Sequence, residues 1–202
     1  MREKSTGYVI LGILASGGDL SGYEIRQWIE QAIGFFWSES FGQIYPELKR
    51  LAKEGLVKPL PTEGEGRDVK RYRITPAGRG ALRKWLDAPP VAERARNELL
   101  LKVFFGASAD ASAIRCFIEE AGVQAQRRLE ALKGAEALVL REDRASGDLA
   151  YSLITILSGQ HAAAARIAWS QSALKLLDAN ESGGPAAVLR NFARLRTTMK
   201  GE

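Results

Sequence analysis

Apolar residues recur along this chain mostly at helical spacing, interrupted by one short interval of alternation. Tyr8, Val9, Leu11 and Leu14 mark a first helix within Thr6 to Ala15. Ser16 to Leu20 reads as a loop. Ser21 is a good N-cap with Glu24 at the capping-box offset, so a second helix opens there. Ile25, Trp28, Ile29, Ala32 and Ile33 form its apolar stripe. Phe35, Phe36 and Trp37 follow as an aromatic knot. A third helix over 41–54 carries Phe41, Ile44, Tyr45, Leu48, Leu51 and Ala52 on one face. Gln43, Pro46, Glu47, Arg50 and Lys53 lie on the other, with Lys49 at the edge. Pro46 is tolerated because it falls in the first turns. Gly55 ends the helix.

Leu56 to Leu60 and Val69 to Ile74 are the strand candidates. Alternation puts Tyr72 and Ile74 on one face of the second and Arg71 and Arg73 on the other. The glycine-rich, charged tip between them reads as a flexible hairpin turn. Thr75-Pro76 opens a fourth helix through Leu82, Trp85 and Leu86, and Ala88-Pro89-Pro90 closes it. A short basic amphipathic helix that stops at a glycine and enters a hairpin is the pattern of a recognition helix and wing. Such a module reads DNA.

The second half reads as helical throughout. Asn97 to Phe105 is a short apolar helix. Asp110 caps a long one with Ile114, Phe117, Ile118, Ala121, Ala125, Leu129, Leu132 and Val139 on one narrow stripe. Such a stripe favours pairing with other helices, including those of a second subunit. Tyr151, Ile154, Leu157, His161, Ala164, Ala165, Ala168 and Leu174 mark another long helix. Asn180 to Pro185 reads as a loop. Val188, Leu189, Phe192, Leu195 and Met199 suggest a short amphipathic helix in the tail. The expected fold is mainly α. A winged helix-turn-helix with a two-stranded wing spans 5–88, a helical dimerisation and sensing domain spans 91–178, and a tail spans 179–202.

Composition narrows the function. The 202 residues carry a net charge of +5, which permits nucleic-acid binding without demanding it. One cysteine, Cys116, rules out an intramolecular disulfide framework and fits a reducing cytoplasm. Neither a secretory leader nor a membrane-spanning apolar run is read. With a single histidine and a single cysteine, the common hydrolase triads and metal cages have few parts. No P-loop or complete dinucleotide fingerprint occurs. An enzyme is not expected, and no cofactor or metal is implied.

Four ordered motifs carry a resemblance. They are Tyr8-Val9-Ile10-Leu11-Gly12-Ile13-Leu14, then Leu20-Ser21-Gly22-Tyr23-Glu24-Ile25, then Gly42-Gln43-Ile44-Tyr45-Pro46-Glu47-Leu48-Lys49-Arg50-Leu51 running on to Glu54-Gly55-Leu56-Val57, and last Lys70-Arg71-Tyr72-Arg73-Ile74-Thr75-Pro76-Ala77-Gly78. In this order they resemble the PadR family of transcriptional regulators. Glu98 to Gly106 resembles the opening of that family's longer C-terminal region, and Trp169 its close. The likeness covers roughly residues 5 to 177. It implies a cytoplasmic homodimer that binds a two-fold related operator in double-stranded DNA, usually as a repressor released by a small molecule. Some relatives bind aromatic compounds at the dimer interface.

Candidate roles follow. Base contacts need polar side chains near the start of the recognition helix, and Ser40, Gln43 and Tyr45 fit. Gln43 could pair bidentately with adenine. Lys49, Arg50 and Lys53 are placed for phosphates. Arg67, Lys70, Arg71 and Arg73 could clamp the backbone from the wing, although Glu63, Glu65 and Asp68 at its tip repel phosphate. The bland alternative is a solvated helix face and a wing whose cations pair with nearby acids. A small aromatic effector would call on Trp169, His161 or Trp28, residues that serve equally well as core or interface packing. A winged helix used for protein contacts rather than DNA is the competing class.

Overall fold

The structure is a computed structural model that describes residues 2–37, 41–61, 70–91, 96–141 and 148–198. The chain divides into two compact units, Met1–Glu93 and Arg94–Glu202. Among the described residues, no helix is long and apolar enough to cross a membrane.

The first unit contains α1 (Arg2–Gly17), β1 (Leu20–Ser21), α2 (Gly22–Trp28), α3 (Ile44–Lys53), β2 (Val57–Pro59), β3 (Arg71–Ile74) and α4 (Pro76–Leu86). Ile10, Leu11 and Leu14 of α1 meet Ile25, Ile44, Leu48, Leu51 and Val57 in one core. Fully burying such side chains stabilises the fold by roughly 1.5–3 kcal/mol each. The predicted capping box is present: Glu24 N donates to Ser21 Oγ at 3.2 Å and Ser21 N donates to Glu24 Oε2 at 2.7 Å. The helix it opens differs from expectation at its end. Beyond Trp28 it loosens into a π-helical turn, Ile29–Ile33, which keeps Ile29 buried and rotates Ala32 to the surface.

The wing sheet has three strands rather than two, in the order β1-β3-β2. The loop expected at Ser16 to Leu20 ends in a strand that pairs Leu20 with Tyr72 and Ser21 with Arg71. Tyr72 and Ile74 face inward and Arg71 and Arg73 outward, as alternation requires. Arg71 donates to the Asp19 carbonyl (2.7 Å from Nη2) and to Glu24 Oε1 (3.2 Å). Arg73 Nε donates to Asp19 Oδ1 at 2.7 Å, and its Nη2 to the other carboxylate oxygen. The Arg73 hydrogen bond holds the Asp19 carboxyl below its ordinary range. The Ser21 backbone N–H does the same for Glu24.

One junction couples α3, the sheet and α4. Gly55 leaves α3 in the left-handed region at φ 69°, which suits glycine. Thr75 Oγ1 lies 2.7 Å from the Gly55 carbonyl, donating to it, and accepts from Gly78 N at 3.0 Å to cap α4. A Cβ on Gly78 would lie 2.1 Å from the Leu56 carbonyl oxygen, so only glycine fits.

The second unit is helical: α5 (Glu98–Phe104), α6 (Ala111–Arg141) and α7 (Leu149–Thr198). Asn97 Oδ1 accepts from Leu100 N and Asp110 Oδ1 from Ser112 N, which start α5 and α6. Ile114, Ile118, Ala125 and Leu132 of α6 are buried, while Phe117, expected on that stripe, is exposed. Helices α6 and α7 run antiparallel. Arg115 reaches Asp178 and Glu181 at one end, and Gln160 reaches Glu136 towards the other. The face of α7 that packs inward is Ile156, Gly159, Ala163 and Ser170. The stripe read from the sequence through Tyr151, Ile154, Leu157 and His161 is instead exposed, because small residues form the closer seam. The expected loop at Asn180 to Pro185 is also shorter. Helix continues until Gly184, whose φ of 60° breaks α7 ahead of Pro185.

Two tests follow. Gly78→Ala should lose about 1–3 kcal/mol through overpacking against backbone. Gly80→Ala, with open space at its Cβ, should gain a few tenths to about 1 kcal/mol; thermal melts would read both signs. Because the Asp19 and Glu24 carboxyls are lowered in the folded state, their contribution is present at neutral pH. It is lost as pH falls below the ordinary carboxylate range. Asp19→Asn should therefore lower the melting temperature at neutral and alkaline pH, converge with the parent chain in acid, and so flatten the acid limb of the profile.

Candidate nucleic-acid interface

Helix α3 lies on the first core through Ile44, Leu48 and Leu51 and turns its remaining face to solvent. A single 3-10 turn, Phe41–Gln43, leads into it. Gln43 is exposed at the N-cap position, and its side chain makes no capping bond. Pro46, Lys49, Arg50 and Lys53 are exposed at the i+3, i+6, i+7 and i+10 positions after it, one continuous outer strip.

Two residues exchange the sides expected of them. Tyr45, placed on the apolar face by periodicity, is 56% exposed. Its ring rests on Gly22 at the start of α2, where an added Cβ would come within 2.6 Å of it. This ring joins the two helices of the helix-turn-helix and stays on the outer surface. Glu47, placed on the outer face, is only 9% exposed. Its carboxylate lies beside Gly7 of α1 and accepts both Nε (2.9 Å) and Nη2 (2.6 Å) of Arg50.

The structure sorts the cations into two groups. Arg50 is bridged between Glu47 and Glu54, and the Glu47 hydrogen bond drives its already high pKa higher still. Arg71 and Arg73 are tied to Asp19 and Glu24. Lys49, Lys53 and Lys70 are exposed and have no acidic partner among the described residues. Lys58 on β2 is also exposed, and its charge helps to hold the Asp19 carboxyl low. It sits opposite Arg73 in the ladder, and the sequence reading overlooked it because β2 carried no motif of its own. Asp19, 54 residues away from its partner Arg73, gave no local signal either. Ser40 and Arg67 lie outside the described residues, as do Glu63, Glu65 and Asp68 at the wing tip.

The candidate ligand residues fall in different units. Trp28 is partly exposed in the first, with its indole against Gly17. His161 is exposed on α7, and Trp169, half-buried, lies under the Arg166 guanidinium at 5.1 Å. Trp85 of α4 is packed face to face on Tyr8 at 4.9 Å. Cys116 is exposed.

Comparison with known proteins agrees with this architecture. Residues 10–84 match the transcriptional regulator PadR-like family, and residues 95–178 match the virulence activator alpha C-terminal family. The negative transcriptional regulator PadR of Bacillus subtilis is 40% identical over 100 residues. That alignment spans 48% of this chain and 54% of the relative, about half of each. The crystal structure of Bacillus subtilis PadR in complex with operator DNA superposes with a TM-score of 0.71 at 29% identity, covering 85% of this chain and 98% of that one. The same protein in complex with p-coumaric acid gives 0.69 at 27%, covering 87% and 97%. The two-unit winged-helix architecture, the ordered motifs and these matches lead to one conclusion: the chain belongs to the PadR-like family of transcriptional regulators, whose members are not enzymes.

Proposed function

We propose that this protein is a homodimeric repressor. It docks α3 of each subunit into the major groove of a two-fold related operator and is released by a small-molecule effector. The observation that carries this reading is the outer strip of α3, polar at its start and basic along its length, held rigidly on a buried apolar face. Gln43 is the base-reading residue and Tyr45 lies beside it. Lys49 and Lys53 neutralise phosphates, with Lys58 and Lys70 doing so from the wing. Arg50, Arg71 and Arg73 contribute less to affinity, because their charge is already engaged by carboxylates and breaking those pairs offsets the gain. Ser40 and Arg67 are proposed as DNA contacts from their positions in the sequence alone. The relative that is crystallised with operator DNA supports the partner.

Dimerisation is argued from exposed apolar surface. Leu101, Phe104 and Phe105 of α5 and its end, and Tyr151, Ile154 and Leu157 of α7, all stand in solvent in the single chain. Phe104 is 80% exposed and Ile154 62%. Surfaces of this kind mark interaction sites. In the proposed assembly, residues 5–88 bind DNA, 91–178 pair the subunits and sense the effector, and 179–202 follow as a tail. A symmetric dimer would set two recognition helices one DNA turn apart, roughly 34 Å. The relative bound to p-coumaric acid supports an aromatic effector.

Fluorescence anisotropy on the chain's own upstream DNA, against scrambled DNA and over a salt series, tests the DNA half. Affinity should favour the native fragment and fall steeply with salt. Gln43→Ala should cut discrimination by about 1–3 kcal/mol, while Lys49→Ala and Lys53→Ala should weaken binding to all sequences and flatten the salt slope by about 1 each. Arg50→Ala should cost less than either lysine change. Equal affinity for both DNAs would overturn the reading. For the dimer, Phe104→Asp or Ile154→Asp should shift sedimentation towards monomer and lower operator affinity. An unchanged dimer in both variants would place the interface elsewhere.

A further inference from the structure

The α6–α7 hairpin is not filled along its whole length. Large side chains pack it at Ile118, Leu132 and Ile156, but alanines occupy the level between them. The result is an open cavity of about 370 Å³ between the start of α5 and the two long helices. That volume lies within the range of small-molecule sites, about 300–1,000 Å³. Ala125 and Ala163 are buried at its base, and Leu99 of α5 adds an apolar wall.

The polar lining has a consistent sign. Arg128 comes from α6 and Arg166 from α7, and among the described residues no aspartate or glutamate lines the cavity. Neither guanidinium has a carboxylate partner among the described residues. This contrasts with Arg115 lower on the same hairpin, which is paired with both Asp178 and Glu181. Arg166 lies over the Trp169 ring at 5.1 Å, a cation–π contact that leaves its charge without a counter-ion among the described residues. Gln124 also lines the cavity, its amide nitrogen donating to Glu120 at 3.0 Å, which leaves its amide oxygen as an acceptor. Asn97 completes the rim while its carbonyl oxygen caps α5.

We propose that this cavity binds a small organic carboxylate, with Arg128 and Arg166 holding the carboxylate and Leu99, Ala125 and Ala163 receiving its apolar body. Two cations facing one space repel each other, and one anion between them removes that repulsion. The planar guanidinium fork matches a carboxylate in bidentate geometry. The apolar walls disfavour a bare inorganic anion. The ligand would touch α5, α6 and α7 together, so its binding is sensitive to how the three helices sit. This assignment rests on the effector-released reading above and names the class of effector and the residues that hold it.

Calorimetric titration of the full chain with p-coumarate, benzoate and octanoate tests the site, with benzyl alcohol and inorganic phosphate as controls. At least one carboxylate should bind ten-fold or more tightly than either control. Arg128→Ala and Arg166→Ala should each weaken it by about 10- to 100-fold, the worth of a charge-assisted hydrogen bond. Arg127→Ala, one position off the lining, should leave it unchanged, and circular dichroism melts would verify that every variant is folded. Absence of binding by all three carboxylates, or binding indifferent to both arginine changes, would overturn the site. Operator anisotropy with and without the bound carboxylate separates the two ideas. Carboxylate binding that depends on Arg128 and Arg166 but leaves DNA affinity unchanged would support the site and overturn effector release.

Discussion

The position of the recognition helix depends on the junction at its C-terminal end. There the Gly55 carbonyl accepts from the Thr75 hydroxyl, and Gly78 lies against the Leu56 carbonyl with no room for a side chain. Three elements meet at this point: the end of α3, the first residue of the wing, and the first turn of α4. A shift of any one of them moves the outer strip of α3 relative to the wing. The apolar core supplies most of the stability, but it would tolerate some sliding of α3 along its axis. The junction does not, because it is made of backbone at close range.

Electrostatics then divides labour among the basic residues. Arg50, Arg71 and Arg73 are used internally, where the guanidinium fork can satisfy carboxylates and carbonyls in fixed geometry. Arg50 ties α3 to its own buried Glu47 beside α1, and Arg71 and Arg73 tie β3 to the turn before α2. The lysines stay outside with mobile point charges, suited to a phosphate backbone that varies in position. In the second unit the pattern differs. Among the described residues Arg128 and Arg166 have no acidic partner, and they line a place where the helical hairpin is underfilled.

Much of the winged helix was legible in the sequence because its signals are local. The Ser21–Glu24 capping box, the glycine stop at Gly55, the alternation at Tyr72 and Ile74 and the Thr75-Pro76 helix start each need only a few neighbouring residues. What periodicity misplaced was decided by distant partners. Glu47 turned inward because Arg50 and the small Gly7 of α1 could receive it, and Tyr45 stayed outside because Gly22 gave its ring a seat. The third strand at Leu20–Ser21 depends on β3, some fifty residues later. On α7 the larger apolar residues suggested the buried face, but the buried seam is the small one. Closely packed antiparallel helices select Gly159, Ala163 and Ser170, leaving Tyr151, Ile154 and Leu157 for another surface. The cavity was invisible for the same reason, since an underfilled level is a property of three helices and not of one.

The most direct test of the account is hydroxyl-radical footprinting of the purified protein on its own upstream DNA. Two protected patches on one face of the duplex, centred about one helical turn apart and related by two-fold symmetry, are the predicted result. A single unpaired patch, or protection spread evenly along the fragment, would contradict a dimer that reads DNA through two copies of α3.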